Sequence, residues 1–564
     1  MYKLLLTFRY LRRKLIPIFA MLAVTLCTAM VIIVISVMGG FLEMVRDAGK
    51  MLMGDVSITY GLSGFPHYEK LIEEIVSLDE AEAATPIIAT YGLVKLPGGV
   101  IKPIQVYGID GHGQERVTGY RNTLFWTKDR LEQYPDVKEA FGDADPQTAA
   151  MMMETPWGPD DPDQKMPPIV PGIEVSPFNQ RDDEGQYYHD PIALPKTSLT
   201  VTILPLTSKG GISDPSVERF TVINEFHSGL YDVDSRRVYI PFKVAQKMMM
   251  MDPAEQVDMS VIPPKVIGTT PGRCTEVQIR ATPDVTSMEL LAKVEEVYDR
   301  IADQYPEIPP REYMMIQTWQ QRQATFIAAV EHEKGLLTVL FGVISLVAVV
   351  MVAVIFYMIV LEKTRDIGIL RSIGASRWGV GSIFLIYAAV IGALGSALGT
   401  GIAYMVVNNI NEIHEWMGTS FGSSIFVVAT LLVTFVVITI LVLIVRIFVP
   451  SIKLKHAFIA GLILGVIGCG AAFMCLDYPI VDEETAKLLE GTNKPTTFGE
   501  LLNENIRVVI WDRTVYFFDR IPNNMNWSEV FTIIAVAVVS SVLGSLIPAF
   551  IAGRVNPIES LRYE

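Results

Sequence analysis

Gly335-Leu-Leu-Thr-Val-Leu-Phe-Gly-Val-Ile-Ser-Leu-Val-Ala-Val-Val-Met-Val-Ala-Val-Ile-Phe-Tyr-Met-Ile-Val-Leu361 holds no charged side chain. It runs straight into Glu362-Lys-Thr-Arg-Asp-Ile-Gly-Ile-Leu-Arg-Ser-Ile-Gly-Ala-Ser-Arg-Trp378. About 20 apolar residues in a helix cross a ~30 Å hydrocarbon layer, so 335–361 is long enough to span. Runs 15–42, 379–410, 424–445 and 530–552 match it, and 457–476 is just long enough. None contains Asp, Glu, Lys or Arg. Six such runs in 564 residues are not the core helices of a soluble protein. They predict a polytopic α-helical membrane protein.

The run 15–42 follows Arg9, Arg12, Arg13 and Lys14, the flank of a secretory leader. Leader cores are roughly 7–15 residues and end at a small-residue cleavage site. This run is longer and no such site follows, so an uncleaved span is expected. Charge then orients the spans. Segment 1–14 has five Lys/Arg and no acid, 362–378 has four bases and two acids, and 446–456 has only bases. The alternate segments are acidic: 411–423, 477–529 and the long 43–334, which holds 45 acids against 27 bases. Short basic loops stay cytoplasmic. Both termini, including the tail 553–564, are therefore expected inside, and 43–334 outside. The net charge of −15 argues against nucleic-acid binding.

Segment 43–334 reads as an α+β domain with its own core. Strands are expected at 55–60, 84–96, 101–109, 198–206 and 237–240. Helices are expected at 67–77 and 287–304, the second capped by Thr286 or Ser287. Segment 140–196, rich in Pro, Asp and Gly, reads as an inserted loop that buries little. Its Asp160, Asp161 and Asp163 are interrupted by Pro, which breaks the ligand spacing of a calcium loop. Four scattered cysteines and seven histidines offer no metal or disulfide pattern.

No G-x-x-x-x-G-K-[ST] phosphate cradle is present and no nucleophile–base arrangement stands out, so the chain is not expected to be an enzyme. Nor do the spans carry the ionisable groups of a channel or proton-coupled carrier. Energy, if used, is then expected to enter from a partner at a cytoplasmic loop. The loop 362–378 suits that role, because Ile367, Leu370, Ile373 and Gly374 fall at helical spacing while Asp366, Arg371 and Arg377 lie elsewhere. A plain basic anchor is the alternative reading. Gly395-Ser-Ala-Leu-Gly399 permits close helix approach, read as packing within the chain in preference to a dimer contact.

The stretch 362–376, the glycines 392, 395, 399 and 401, and the tail 548–564 resemble the FtsX-like permeases, the group that includes MacB and the LolC/LolE pair. Thr318-Trp-Gln-Gln-Arg-Gln-Ala-Thr-Phe326, Glu331-His-Glu-Lys-Gly335, 226–241 and 515–522 are similar to the lipoprotein-releasing LolC/LolE branch. The resemblance implies spans 1 to 4 of the family at 15–42, 335–361, 379–410 and 530–552. It implies a MacB-type periplasmic core over 43–334, and a coupling helix formed by Asp366, Ile367, Gly368, Leu370, Arg371, Ile373, Gly374 and Ala375. The family has four spans, so 424–476 reads as an inserted two-span hairpin, either a packing element or a dock for another protein. The implied partners are a separate ATPase that holds ATP and magnesium, a second permease copy or paralogue, a lipoprotein substrate and membrane lipid in the bacterial inner membrane. The chain itself is expected to hold no cofactor and no metal. Thr25, Thr28, Phe326 and Leu336 are the candidate lining of a substrate cleft between the first two spans. A MacB-like exporter and an FtsX-like activator of a cell-wall hydrolase are the alternatives.

Overall fold

The computed structural model describes residues 16–433, 470–481, 495–505, 518 and 520–555, apart from 62, 158–165, 177–178, 182–186, 190–195, 206–210, 212 and 259–264. The basic segment 1–14, most of the hairpin 424–476, the aspartates at 160, 161 and 163, most of 515–522 and the tail from 556 lie outside the described residues. The chain divides into two units. One holds the α+β domain and four long helices, and the other comprises 181–186 and 409–516.

Helix α1 (Ile16–Met53) leads into strand β1 (Val56–Thr59). There follow α2 (Tyr68–Val76), β2 (Ala81–Lys95), β3 (Ile101–Ile109), α3 (Gly111–Thr118) and α4 (Pro146–Met152). Strands β4 (Pro168–Pro171), β5 (Ser198–Ile203), β6 (Ser216–Val222) and β7 (Arg237–Pro241) precede β8 (Glu276–Ala281). Helix α5 (Ser287–Gln304), strand β9 (Met315–Thr318), the short α6 (Trp319–Arg322) and the long α7 (Ala324–Glu362) return the chain to the membrane helices. These nine strands form one sheet in the order β9-β1-β8-β2-β3-β7-β4-β6-β5. The sheet curls back on itself, because β5 also pairs with Gly92–Lys95 of β2.

Period-2 patterning explains the strands. In β5, Leu199, Val201 and Ile203 are buried and the residues between them are half-exposed. Helix α5 buries Leu290, Leu291, Val294, Val297, Tyr298 and Ile301 against the sheet, each apolar side chain worth roughly 1.5–3 kcal/mol. Its cap is Thr286, which forms a capping box with Glu289.

Segment 140–196 departs from its reading as a loop. Strand β4 is buried throughout and lies between β7 and β6. Phe141, Ala150, Met151, Ile173 and Val175 are core residues. Averaging over the segment let the Pro/Asp tract mask short apolar quartets. The prolines of β4 bracket Ile169 and Val170, at the strand's two ends, where proline disturbs the ladder least.

Among the described residues four helices are long and apolar enough to cross a membrane, α1, α7, α8 (Arg377–Asn408) and α10 (Trp527–Arg554), with the short helix α9 (Thr364–Ser372) lying between α7 and α8. They cover runs 15–42, 335–361, 379–410 and 530–552. In the second unit, Ile410–Gly418 and Phe421–Val433 meet at 77° and form a fifth candidate as one broken span. The two-arm hairpin over 424–476 lies mostly outside the described residues. At 38 residues, α1 is about 57 Å long, nearly twice the hydrocarbon thickness. Its C-terminal turns and the first turns of α7 therefore project as a helical stalk toward the sheet.

Packing in the bundle follows its small residues. A Cβ on Gly399 would sit 2.6 Å from the Thr25 carbonyl oxygen, and one on Gly395 would lie 3.0 Å from Val24. The G-x-x-x-G stripe thus seats α1 against α8 within the chain.

Candidate functional site

At one end of the bundle α7 breaks at Lys363, and a short helix, α9 (Thr364–Ser372), begins at once. Thr364 Oγ1 donates to the Leu361 and Val360 carbonyls, and Lys363 pairs with Asp366 at 3.2 Å. Ile367 and Gly368 are buried, and Ile367 joins a cluster with Phe356, Val380, Phe384 and Ala552. Arg371 donates to the carbonyls of Gly553 and Val555 at 3.2 and 2.6 Å, capping the end of α10. Ala375 packs on the same cluster and its N–H donates to the Leu370 carbonyl.

Two sequence expectations change here. Ile373 does not share the inward face with Ile367, because α9 stops at Ser372 and Gly374 turns the chain at φ +103°. Ile373 is 80% exposed, and Ile369 joins it outside. Arg371 is not free for a partner, since it faces inward onto the last span. The apolar residues left outward are Ile369, Ile373 and Trp378, two of which lay outside the predicted set.

At the opposite end, the first two spans enter neighbouring strands. β1 follows α1 and β9 precedes α7, and they pair antiparallel with Val56 opposite Thr318 and Thr59 opposite Met315. Thr318 and Gln321 form a reciprocal capping box at the start of α6. The Trp319 N–H donates to the Asp55 carbonyl, and its ring packs where a Cβ on Gly49 would lie 2.7 Å away. Arg322 closes the joint: its guanidinium holds Glu276 at 2.9 and 3.3 Å and donates to Ser57 Oγ at 3.3 Å. Glu276 is 1% exposed and also accepts from Gln278 Nε2. Sequence reasoning passed over this pair, although a Glu opening the otherwise buried Glu276-Val-Gln-Ile strand was a usable signal.

The candidate cleft residues separate. Thr25 and Thr28 are buried on the α1–α8 seam, and Thr25 Oγ1 donates to the Met21 carbonyl. They do not line a cleft between the first two spans, because Gly395 and Gly399 draw that face of α1 onto α8. Leu336 is exposed on α7. Phe326 meets Phe41 of α1 at 6.0 Å in the stalk. Beside it a cavity of about 490 Å³ lies between the stalk helices, lined by Leu42, Arg46, Lys50, Ile327 and Glu331. In the α+β domain, Glu225 is buried and accepts from Trp126 Nε1 and Asn179 Nδ2 at 2.9 and 2.6 Å. Burial lifts its carboxyl to about 7 against the pull of those bonds. Among the described residues no three His, Cys, Asp or Glu side chains gather as metal ligands.

The family model of the FtsX-like permease C-terminal domain matches residues 338–457. That interval contains the α7–α9–α8 arrangement. Residues 338–457 thus form an FtsX-like permease C-terminal domain. Relatives of this chain include the lipoprotein-releasing system transmembrane protein LolC of Xylella fastidiosa, 21% identical over 350 residues, 62% of this chain and 56% of that protein. LolC of Neisseria meningitidis is 22% identical over 222 residues, 38% of this chain and 46% of that protein. The permease thus spans about half the length of the curated relatives it matches. Two solved structures are similar in part. The periplasmic region of MacB from Actinobacillus actinomycetemcomitans has a TM-score of 0.24 at 12% identity, covering 51% of this chain and 97% of that one. The extracellular domain of the transporter YknZ has a TM-score of 0.23 at 8% identity, covering 47% and 100%.

The match also runs through 424–445, the first arm of the expected hairpin, whereas in the helical bundle it is α10 that packs with α7 and α8.

Proposed function

We propose that this permease sits in the bacterial inner membrane with both termini in the cytoplasm and 43–334 outside, and that it releases lipoproteins from the outer leaflet. It would act as a pair, either with a second copy or with a paralogue. ATP and magnesium would be held by the separate ATPase, seated on the outward residues of the coupling helix α9. The observation that carries this reading is one continuous lever. Helix α7 runs unbroken from Ala324, beside the Arg322–Glu276 lock, to Glu362, beside α9. A shift of α9 therefore reaches the sheet without crossing a flexible loop.

The chemistry of the cargo agrees. Spans without ionisable groups suit a substrate whose membrane part is acyl chain. Exposing such a chain to water costs about 0.8 kcal/mol per CH₂, so lifting a multiply acylated anchor must pass the chains directly into apolar surroundings. The aromatic contact of Phe41 with Phe326 in the stalk marks the candidate entry. Depleting the permease should strand outer-membrane lipoproteins in the inner membrane. Normal lipoprotein sorting with new sensitivity to amphiphilic drugs would instead support a MacB-like exporter.

A further inference from the structure

At the α9 end of the bundle, α8 and α10 enclose a groove distinct from the stalk cavity. It measures about 520 Å³, and its wall includes Arg377, Trp378, Leu385, Ile547, Phe550 and Arg554. Arg377 is the first residue of α8 and Arg554 the last of α10, so two antiparallel helices bring both guanidinium-bearing residues to the same level. Gly553 permits this, since a Cβ there would lie 2.8 Å from the Arg377 carbonyl oxygen. Arg554 lies over the Phe550 ring at 4.2 Å. Neither arginine has an ion-pair partner among the described residues. Below them the wall is uncharged, with Trp378 83%, Ile547 71% and Phe550 57% exposed.

We propose that this groove binds an anionic phospholipid. The phosphate sits between Arg377 and Arg554, and an acyl chain lies along Leu385 and Ile547. Charge confined to one end of an apolar groove, with an aromatic residue at the boundary, matches a phospholipid's own division into headgroup and chain. A docked protein would have to bring acidic side chains against the same apolar floor. The proposal requires only that α8 and α10 cross a membrane, so it stands or falls apart from the cargo reading.

The test is lipid retention by the purified full chain, read by native mass spectrometry. Phosphatidylglycerol, phosphatidylcholine or inorganic phosphate is titrated in detergent. Phosphatidylglycerol should bind the wild type well above phosphatidylcholine. The pair Arg377→Gln/Arg554→Gln should lower phosphatidylglycerol affinity about 30-fold, equal to about 2 kcal/mol at about 1 kcal/mol per basic residue. Arg377→Lys/Arg554→Lys should retain most of it. Arg365→Gln, a basic residue of α9 outside the groove lining, should leave it unchanged. Leu385→Trp fills the floor with both arginines intact and should also expel the lipid, and melting in lipid-free detergent verifies that each variant folds. Wild-type retention by the double glutamine variant overturns the proposal. So does equal protection by inorganic phosphate, which would mark a free-anion site. Retained lipid with lost ATPase co-purification would make the groove a protein seat and likewise overturn it.

Discussion

Replacing Arg322 with Met removes one half of the lock between the sheet and the second span. Glu276 keeps its charge but is 1% exposed, and only Gln278 among the contacts described above still donates to its carboxylate. Breaking a buried pair costs about 3–5 kcal/mol where the remaining charge is uncompensated, and here the buried Arg237 guanidinium still acts on Glu276. The Arg322 side chain is 31% exposed, so water can enter, and the lower end, about 3 kcal/mol, applies. Glu276→Gln leaves a cation that can reach solvent and should cost about 1 kcal/mol. The double change to Met at both positions removes charge and desolvation together and should be nearly neutral. The readout is amide hydrogen exchange in β1, β8 and β9 of the full chain in detergent. Arg322→Met should accelerate local exchange on the order of 100-fold, with little change in distant β5 and β6. The double Met variant should exchange close to wild type. If it exchanges as fast as Arg322→Met, or if the single change leaves the three strands protected, the lock is not what joins span to sheet.

Further outcomes follow from the same geometry. Gly399→Leu should lower the apparent melting temperature by forcing α1 from α8, an overpacking cost of about 1–3 kcal/mol, whereas Gly401→Leu, which has open space, should not. Ile369→Ser/Ile373→Ser should abolish ATPase co-purification while thermal melting stays within the ±0.5 kcal/mol of ordinary surface changes. Glu225 has a folded pKa of about 7, above its unfolded value of about 4.3. The folded state therefore holds the proton more tightly, and this group's contribution to stability is present at low pH and lost as pH rises from about 4.5 to 7. Glu225→Gln should flatten that window in urea titrations of the full chain, and an unchanged slope would contradict it.

Much of this molecule was legible because bilayer and sheet each impose a strict period. Uncharged runs gave the four long helices, and alternation placed β1, β2, β3, β5 and β7. Gly395 and Gly399 announced a close helix contact, and the contact is intramolecular. The failures share a cause. Side-chain direction at the end of α9 depends on the positive φ of Gly374, so helical spacing carried past the helix end put Ile373 on the wrong side. The fate of Arg371 depended on carbonyls more than 180 positions away, at Gly553 and Val555, which no local pattern reveals. Thr25 and Thr28 were assigned to the first–second span cleft, yet the glycines that claim their face were already in view on the third span. Segment 140–196 was judged by average composition, which hides a four-residue buried strand such as β4.

The central claim is that ATP hydrolysis in a partner is converted, through α9, α7 and the Arg322–Glu276 joint, into outward release of an acylated protein. Proteoliposomes containing the permease, its ATPase and a triacylated lipoprotein test this directly, by measuring lipoprotein freed to a soluble acceptor with and without ATP. Release should require ATP, and Arg322→Met should reduce release per ATP hydrolysed while leaving hydrolysis itself largely intact. Release that proceeds equally without ATP, or an Arg322→Met complex that releases as much lipoprotein per ATP as wild type, would contradict the account.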